Sequence, residues 1–213
     1  MGDGSGRLRM YYECCRGSQS TSNSIRSAVS EDAGLSWNVE PGNRLSIDDA
    51  NVSAPRIVCL EDNRWRLYVS RRGTGVLSAI SDDGGTQFEM EPGVRIPQSP
   101  PHAGHAAFAP EILRLGASRY RMYFAAYSSP QRTDILTALS GDGLDWEIDP
   151  EPVLSPGGSE LDEAKCSEMS VFELPGSTPD EPRFAMVYEG CDGTAADQRG
   201  VWRVVCALVG PEK

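Results

Sequence analysis

The chain has 213 residues, a formal net charge of −11 at pH 7 and a pI of about 4.7. That length suits one domain with a full core, and the acidic balance excludes the basic face that nucleic-acid binding requires and disfavours anionic membrane surfaces. No apolar run is long enough to cross a bilayer, and the start Met1-Gly-Asp-Gly-Ser-Gly has neither a signal-peptide core nor the myristoylation pattern, so a cytoplasmic location is expected.

Taken in order, residues 1–7 are polar and glycine-rich, and Leu8 to Glu13 reads as a strand. A polar loop from Arg16 to Asn23 leads to a strand at Ile25 to Val29, a turn at Asp32 and a strand from Trp37 to Glu40, closed by Pro41-Gly42. The inner strand that should open this unit is missing. Residues 43–53 form a linker containing Asp48-Asp49. A complete unit follows: Ala54 to Leu60, Trp65 to Ser70, Val76 to Ile80 and Gln87 to Glu91. The connection from Pro97 to His105 carries both histidines and three prolines, which exclude a central strand there. A second complete unit uses Ala109 to Ile112, Tyr120 to Ala125, Ile135 to Leu139 and Asp145 to Asp149. After an acidic loop (Gly157 to Glu163), Cys166 to Phe172, Phe184 to Tyr188 and Val201 to Val209 give a last unit of three strands.

These segments alternate, are rich in Tyr, Val, Ile, Phe and Trp, and are bounded by Gly, Pro, Asp and Ser, which is strand chemistry. No window shows a helical apolar stripe. The aromatic runs recur about every 55 residues, the spacing of propeller blades. The predicted fold is all-β: a β-propeller of four-stranded antiparallel blades, with about four blades or an incomplete five-bladed ring. A single domain over 1–213 is expected, with blade units at 8–42, 51–93, 105–152 and 165–209. An incomplete ring leaves a terminal blade edge through which the chain could form a homo-oligomer.

The first three units also repeat a turn: Ser30-Glu-Asp32-Ala-Gly34-Leu-Ser-Trp37, Ser81-Asp-Asp83-Gly-Gly85-Thr-Gln-Phe88 and Ser140-Gly-Asp142-Gly143-Leu-Asp145-Trp146. The Asp accepts backbone N–H bonds, the Gly permits positive φ and the aromatic tucks under the hairpin. This turn resembles the Asp-box of sialidases and other propellers, so Asp32, Asp83 and Asp142 are expected to be structural.

Two longer stretches carry a family resemblance. Phe108-Ala-Pro-Glu111-Ile112 followed by Tyr120-Arg-Met-Tyr-Phe-Ala-Ala, and Ser53-Ala-Pro-Arg56-Ile57 followed by Trp65-Arg-Leu-Tyr68, look like the blade openings of the five-bladed β-propeller glycosidases, the arabinanases, xylosidases and fructosidases. The resemblance implies a funnel lined by carboxylates from inner strands, two of them in set geometry for glycoside hydrolysis. The strand that would supply the family's base is missing here. Glu168 lies near the expected acid, but aligning Val171-Phe172 sets it one position off, and such a slip reverses the side chain's face.

Candidate site residues come from inner strands and their entry loops. Glu168 and Glu111 are the acid–base candidates; the alternative for each is a strand-end carboxylate in a salt bridge, for instance with Arg56. His102 and His105 are candidate proton shuttles or ligand contacts, against loop histidines bonded to backbone. Arg56 is a candidate for bidentate recognition, Asp49 for a carboxylate contact against a solvated turn, and Phe108 for the funnel lining. Tyr11, Tyr68, Tyr123 and Tyr188 recur and read as blade core, with Glu13 and Glu189 as secondary candidates after them. The six cysteines form no Cys-x-x-Cys pair, so free thiols and no metal site or cofactor are expected. The expected ligand is a carbohydrate or other polyhydroxylated small molecule in the axial funnel, with glycosidase-like turnover. Alternatives are a biosynthetic cyclase or isomerase on the same scaffold, and a non-catalytic interaction module.

Overall fold

The computed structural model describes residues 6–15, 23–47, 51–99, 106–116, 118–129, 131–178, 183–194 and 200–209, and among them the secondary structure is strand, turn and bend with no helix. Asp49, His102 and His105 lie outside the described residues. The chain divides into two compact units, Met1–Val94 and Arg95–Lys213.

The first unit holds two antiparallel sheets. One runs β1 (Leu8–Cys15), β2 (Asn23–Ser30), β3 (Asn38–Val39), and the other β4 (Val52–Cys59), β5 (Trp65–Arg71), β6 (Gly75–Ser81), β7 (Glu89–Met90). Middle strands are buried on both faces, which is why β5 reads as the nearly unbroken apolar run Leu67-Tyr68-Val69. Ile25, Leu45, Val52, Leu67, Val69, Leu77, Ala79 and Phe88 form the core, with Tyr11, Ile57 and Trp65 packed against it. Each large aliphatic side chain there contributes roughly 1.5–3 kcal/mol by leaving water.

The second unit begins with the short strand β8 (Ile96–Pro97). Next comes the antiparallel series β9 (Ala106–Gly116), β10 (Arg119–Ser129), β11 (Arg132–Ser140), β12 (Glu147–Ile148), and then β13 (Lys165–Glu173), β14 (Phe184–Cys191), β15 (Trp202–Val209). A single parallel pair, Thr133 with Lys165, joins the two series. Tyr123, Ala125, Ile135, Cys166, Met169, Val171, Met186 and Tyr188 form this unit's core. On β15, Val205 and Ala207 pack toward that core while Val204 (79 % exposed) and Leu208 (73 % exposed) face outward.

Three hairpins are closed by one set of hydrogen bonds. Ser30 Oγ donates to Asp32 Oδ1 (2.7 Å) and accepts the Gly34 N–H (2.8 Å); Asp32 Oδ1 accepts the Ser36 N–H (2.9 Å). Ser81 Oγ likewise donates to Asp83 Oδ1 (2.6 Å) and accepts the Gly85 N–H (3.0 Å), and Asp83 accepts the Thr86 N–H (2.9 Å). Ser140 Oγ and Asp142 do the same for Gly143 and Leu144, both at 2.8 Å. The indole N–H of Trp37 and that of Trp146 each donate to the turn glycine's carbonyl. These carboxylates are spent on backbone N–H groups. The Ser36 side-chain and backbone donors and the Ser30 hydroxyl hold Asp32 down to about 2.

Buried arginines tie neighbouring strands to these turns. Arg44 Nη1 donates to the Thr86 carbonyl (2.7 Å), and Arg95 Nη1 to the Leu144 carbonyl (2.9 Å). Arg66 makes a two-pronged pair with Glu91 (2.8 and 2.9 Å), and the Ser78 hydroxyl also donates to Glu91 (2.7 Å). Tyr11 Oη donates to the Gly85 carbonyl (2.9 Å), and its ring meets Phe88 edge-on at 5.8 Å.

Gly85 has φ +83°, and a Cβ there would sit 2.1 Å from Tyr11 Oη. Gly85→Ala is therefore expected to cost at least about 2 kcal/mol in denaturant unfolding. The same change in a Tyr11→Phe background should cost measurably less, because the clashing hydroxyl is gone. Equal costs in both backgrounds would contradict this packing.

Candidate active site in the second unit

The site grows from an irregularity that β4, β9 and β13 share. In β4, Ser53 pairs with Ser70 and Arg56 with Tyr68, so Ala54-Pro55 together face Val69. In β9, Phe108 pairs with Ala125 and Glu111 with Tyr123, leaving Ala109-Pro110 opposite Phe124. In β13, Ser167 pairs with Glu189 and Ser170 with Val187, leaving Glu168-Met169 opposite Tyr188. All three are β-bulges whose first residue is left-handed: φ is 50° at Ala54, 51° at Ala109 and 35° at Glu168.

This register re-reads the sequence around Glu168. Its counterparts are Ala54 and Ala109, while Ser170 stands where Arg56 and Glu111 stand. Tyr188 faces the bulge as Val69 and Phe124 do, so it does not share the position of Tyr68 and Tyr123. The extra bulge residue defeats an alignment that counts along a regular strand. A left-handed backbone costs a residue other than glycine about 1 kcal/mol or more, and here the residue bearing that cost is an exposed carboxylate.

Around Glu168 the second unit gathers further groups. Glu189 pairs in register with Ser167, next to Glu168. Burial and then the Glu168 charge raise the Glu189 carboxyl above its ordinary value. Tyr127 is raised as well, first by burial and further by the charges of Glu168, Cys191 and Glu189. Phe108 stacks on Tyr127 with centroids 5.1 Å apart and planes at 14°. The Lys165 ammonium lies over the Tyr127 ring at 5.4 Å and over the Trp202 ring at 5.8 Å. Lys165 is only 2 % exposed, and Trp202, on the terminal strand, is 36 % exposed. The pairs Tyr127–Thr133, Thr133–Lys165, Lys165–Cys191 and Cys191–Trp202 place this cluster along one row of the ladder.

Beneath the cluster, the acidic loop turns one carboxylate inward. Asp162 is buried and accepts from Tyr188 Oη (2.6 Å) and from the Ser159 N–H and hydroxyl (2.9 Å each). Burial opposes its ionisation, but these donors outweigh it and hold Asp162 below the usual carboxylate range. Cys166 Sγ lies 3.8 Å from Asp162, and burial first and then that carboxylate push the thiol up to about 12, so it is no nucleophile.

Of the residues singled out from sequence, Glu168 and Phe108 meet through Tyr127. Glu111 is half-buried on β9 opposite Tyr123, four residues from Tyr127 and so about 13 Å away along β10. Arg56 lies on β4 in the first unit, where Nη1 donates to the Pro55 carbonyl (3.1 Å). Sequence reasoning passed over Tyr127, Lys165 and Trp202. One signal was available: Lys165 and Lys213 are the chain's only lysines. Among the described residues no group of three or more His, Cys, Asp or Glu is placed to hold a metal ion. Nor is any helix among them long and apolar enough to cross a membrane.

No protein-family model matches the chain, and no curated protein matches it. Solved structures do. An exo-1,5-α-L-arabinanase from a bovine ruminal metagenomic library superposes with TM-score 0.69 at 15 % identity, over 95 % of this chain and 70 % of that one. An N-acetylgalactosamine deacetylase from F. plautii, in complex with blood group B trisaccharide, gives 0.76 at 15 % identity, over 98 % and 70 %. An endo-arabinase from Bacteroides thetaiotaomicron gives 0.70 at 14 % identity, over 97 % and 72 %. At such identities the likeness is one of fold: the chain is all-β, and its structural neighbours include β-propeller glycosidases.

The Glu168–Glu189 coupling has a measurable signature. By carbon-13 titration Glu189 should show a midpoint above 4.5, and Glu168→Gln should lower it. A carboxyl raised by folding adds stability that is fully present below 4.5 and lost as pH rises through the folded midpoint. Glu168→Gln should therefore raise the Tm at pH 7 and leave it nearly unchanged at pH 4. An unmoved Glu189 midpoint would separate the two carboxylates.

Proposed function

We propose that the chain binds a carbohydrate or similar polyhydroxylated molecule at the Glu168 face of its second unit and acts on it as a glycosidase-like enzyme. The observation that carries this is the pair Glu168 and Glu189 beside the stacked Phe108 and Tyr127 rings. A carboxyl raised by burial and by the charge of a second carboxyl beside it is the raw material of acid–base chemistry on a glycosidic bond. A stacked aromatic pair offers the flat apolar surface on which a sugar ring packs, with carboxylates at its rim to accept hydroxyl hydrogen bonds. Strain stored at Glu168 supports a functional reason for keeping a carboxylate where alanine stands in two sister strands. In this reading Glu168 carries the acid–base role, with Glu111 as the further candidate on β9. The six cysteines are all free thiols, which suits a reducing, cytoplasmic setting.

The test is a panel of aryl furanosides and pyranosides, with sugar binding followed by calorimetry. Glu168→Gln is expected to lower kcat by at least about 100-fold with KM little changed. Glu168→Gly should abolish turnover equally while raising stability by about 1 kcal/mol, because glycine accepts the left-handed backbone. No turnover of any glycoside together with no sugar binding would refute the proposal.

A further inference from the structure

Lysine is scarce in this chain. Of the 20 lysines and arginines two are lysines, Lys165 and Lys213, leaving 18 arginines. Lys165 is the one lysine among the described residues, and it is almost wholly buried. An arginine would satisfy any purely electrostatic need at such a place, with a planar group well suited to stacking. A lysine offers what a guanidinium cannot: an amine that releases its proton and becomes a nucleophile.

The surroundings of Lys165 suit that chemistry. Tyr127 and Trp202 hold its nitrogen between ring faces at 5.4 and 5.8 Å. Lys165 pairs with Cys191, and Glu189 stands two residues before Cys191 on β14, opposite Ser167 and next to Glu168. Burial and then the Glu168 charge raise the Glu189 carboxyl, so it holds its proton more readily than an ordinary glutamate. Trp202, the outer wall, belongs to β15, which pairs with β14 at the end of the sheet order, so the wall nearest solvent is on a terminal strand.

We propose that Lys165 is a covalent capture site that forms an imine with a small α-hydroxy aldehyde, including the open-chain form of a short sugar. The ammonium passes one proton to the Glu168 carboxylate, and the nitrogen attacks the carbonyl carbon while the carbonyl oxygen takes the Glu189 proton. The adduct nitrogen returns a proton to Glu189. The carbon–oxygen bond then breaks, the hydroxyl leaves as water with the proton held by Glu168, and the nitrogen lone pair closes the C=N bond. An ammonium and an aldehyde thus become an iminium and one water, and both carboxyls regain their starting states. The positive charge begins and ends on the same nitrogen between the aromatic faces, whose quadrupoles favour it before and after the reaction. Hydroxyl groups next to the carbonyl meet acceptors in the same two carboxyls.

This capture does not require glycoside turnover, and its test is separate. The folded chain is incubated with glycolaldehyde and sodium cyanoborohydride, and peptide masses locate the reduced adducts. Lys165 is expected to be modified at least about 10-fold faster than Lys213, and Glu189→Gln to slow Lys165 by about 10-fold or more. Lys165→Arg, checked for folding by circular dichroism, should lose this adduct and keep the slow one at Lys213. The proposal is overturned if Lys213 and the N-terminus react while Lys165 does not. It is equally overturned if Lys165 reacts only after denaturation, or at a rate Glu189→Gln leaves unchanged.

Discussion

A left-handed residue at the start of each bulge is the constraint on which the rest of the site depends. The bulge breaks the two-residue alternation of the strand, re-aims the side chains that follow and sets a neighbouring strand's residues against them. In β4 and β9 the position is filled by alanine followed by proline. Proline has no N–H to lose at a point where the ladder is already interrupted, and its ring restricts the residue before it. In β13 the pair is Glu168-Met169, so the same backbone device delivers a carboxylate to the surface and a methionine to the core. Packing and chemistry are divided between two adjacent residues by one irregularity.

Polar groups elsewhere hold this arrangement by being fully occupied. Asp32, Asp83 and Asp142 close their hairpins through backbone N–H groups. Glu91 is shared between Arg66 and Ser78, and Asp162 receives Tyr188 and Ser159. A buried ion pair adds little net stability, since desolvation offsets much of its attraction, but breaking one is costly. Such pairs therefore fix register more than they add to stability. Against this background Glu168 and Glu189 stand apart: their mutual repulsion works against the fold.

Much of the architecture was legible in the sequence because it rests on local chemistry. The strands announced themselves by β-branched and aromatic runs, and the turns by Ser, Asp and Gly at fixed offsets. Glu168 and Phe108 could be singled out because they border inner-strand openings. What could not be read was anything dependent on one residue's extra length in a strand. The bulge moved Glu168 into register with Ala54 and Ala109, and Tyr188 away from Tyr68 and Tyr123. The Lys165 cluster was illegible for another reason. Tyr127, Lys165 and Trp202 are distant in sequence and meet only because separate strands share one row of a ladder. Asp162 looked like one more surface acid in a loop of acids, and only the tertiary fold turns it inward.

Among the described residues, the single parallel pair between Thr133 and Lys165 is all the backbone ladder that joins the two strand series of the second unit. Elsewhere in that unit the series must cohere through side chains. Each is therefore a block with its own ladder, held to its neighbour by the core the two share. The seam between the blocks runs through Lys165. A ligand gripping Lys165 from one block and Tyr127 from the other would act as a rivet, turning a weak seam into the firmest part of the unit.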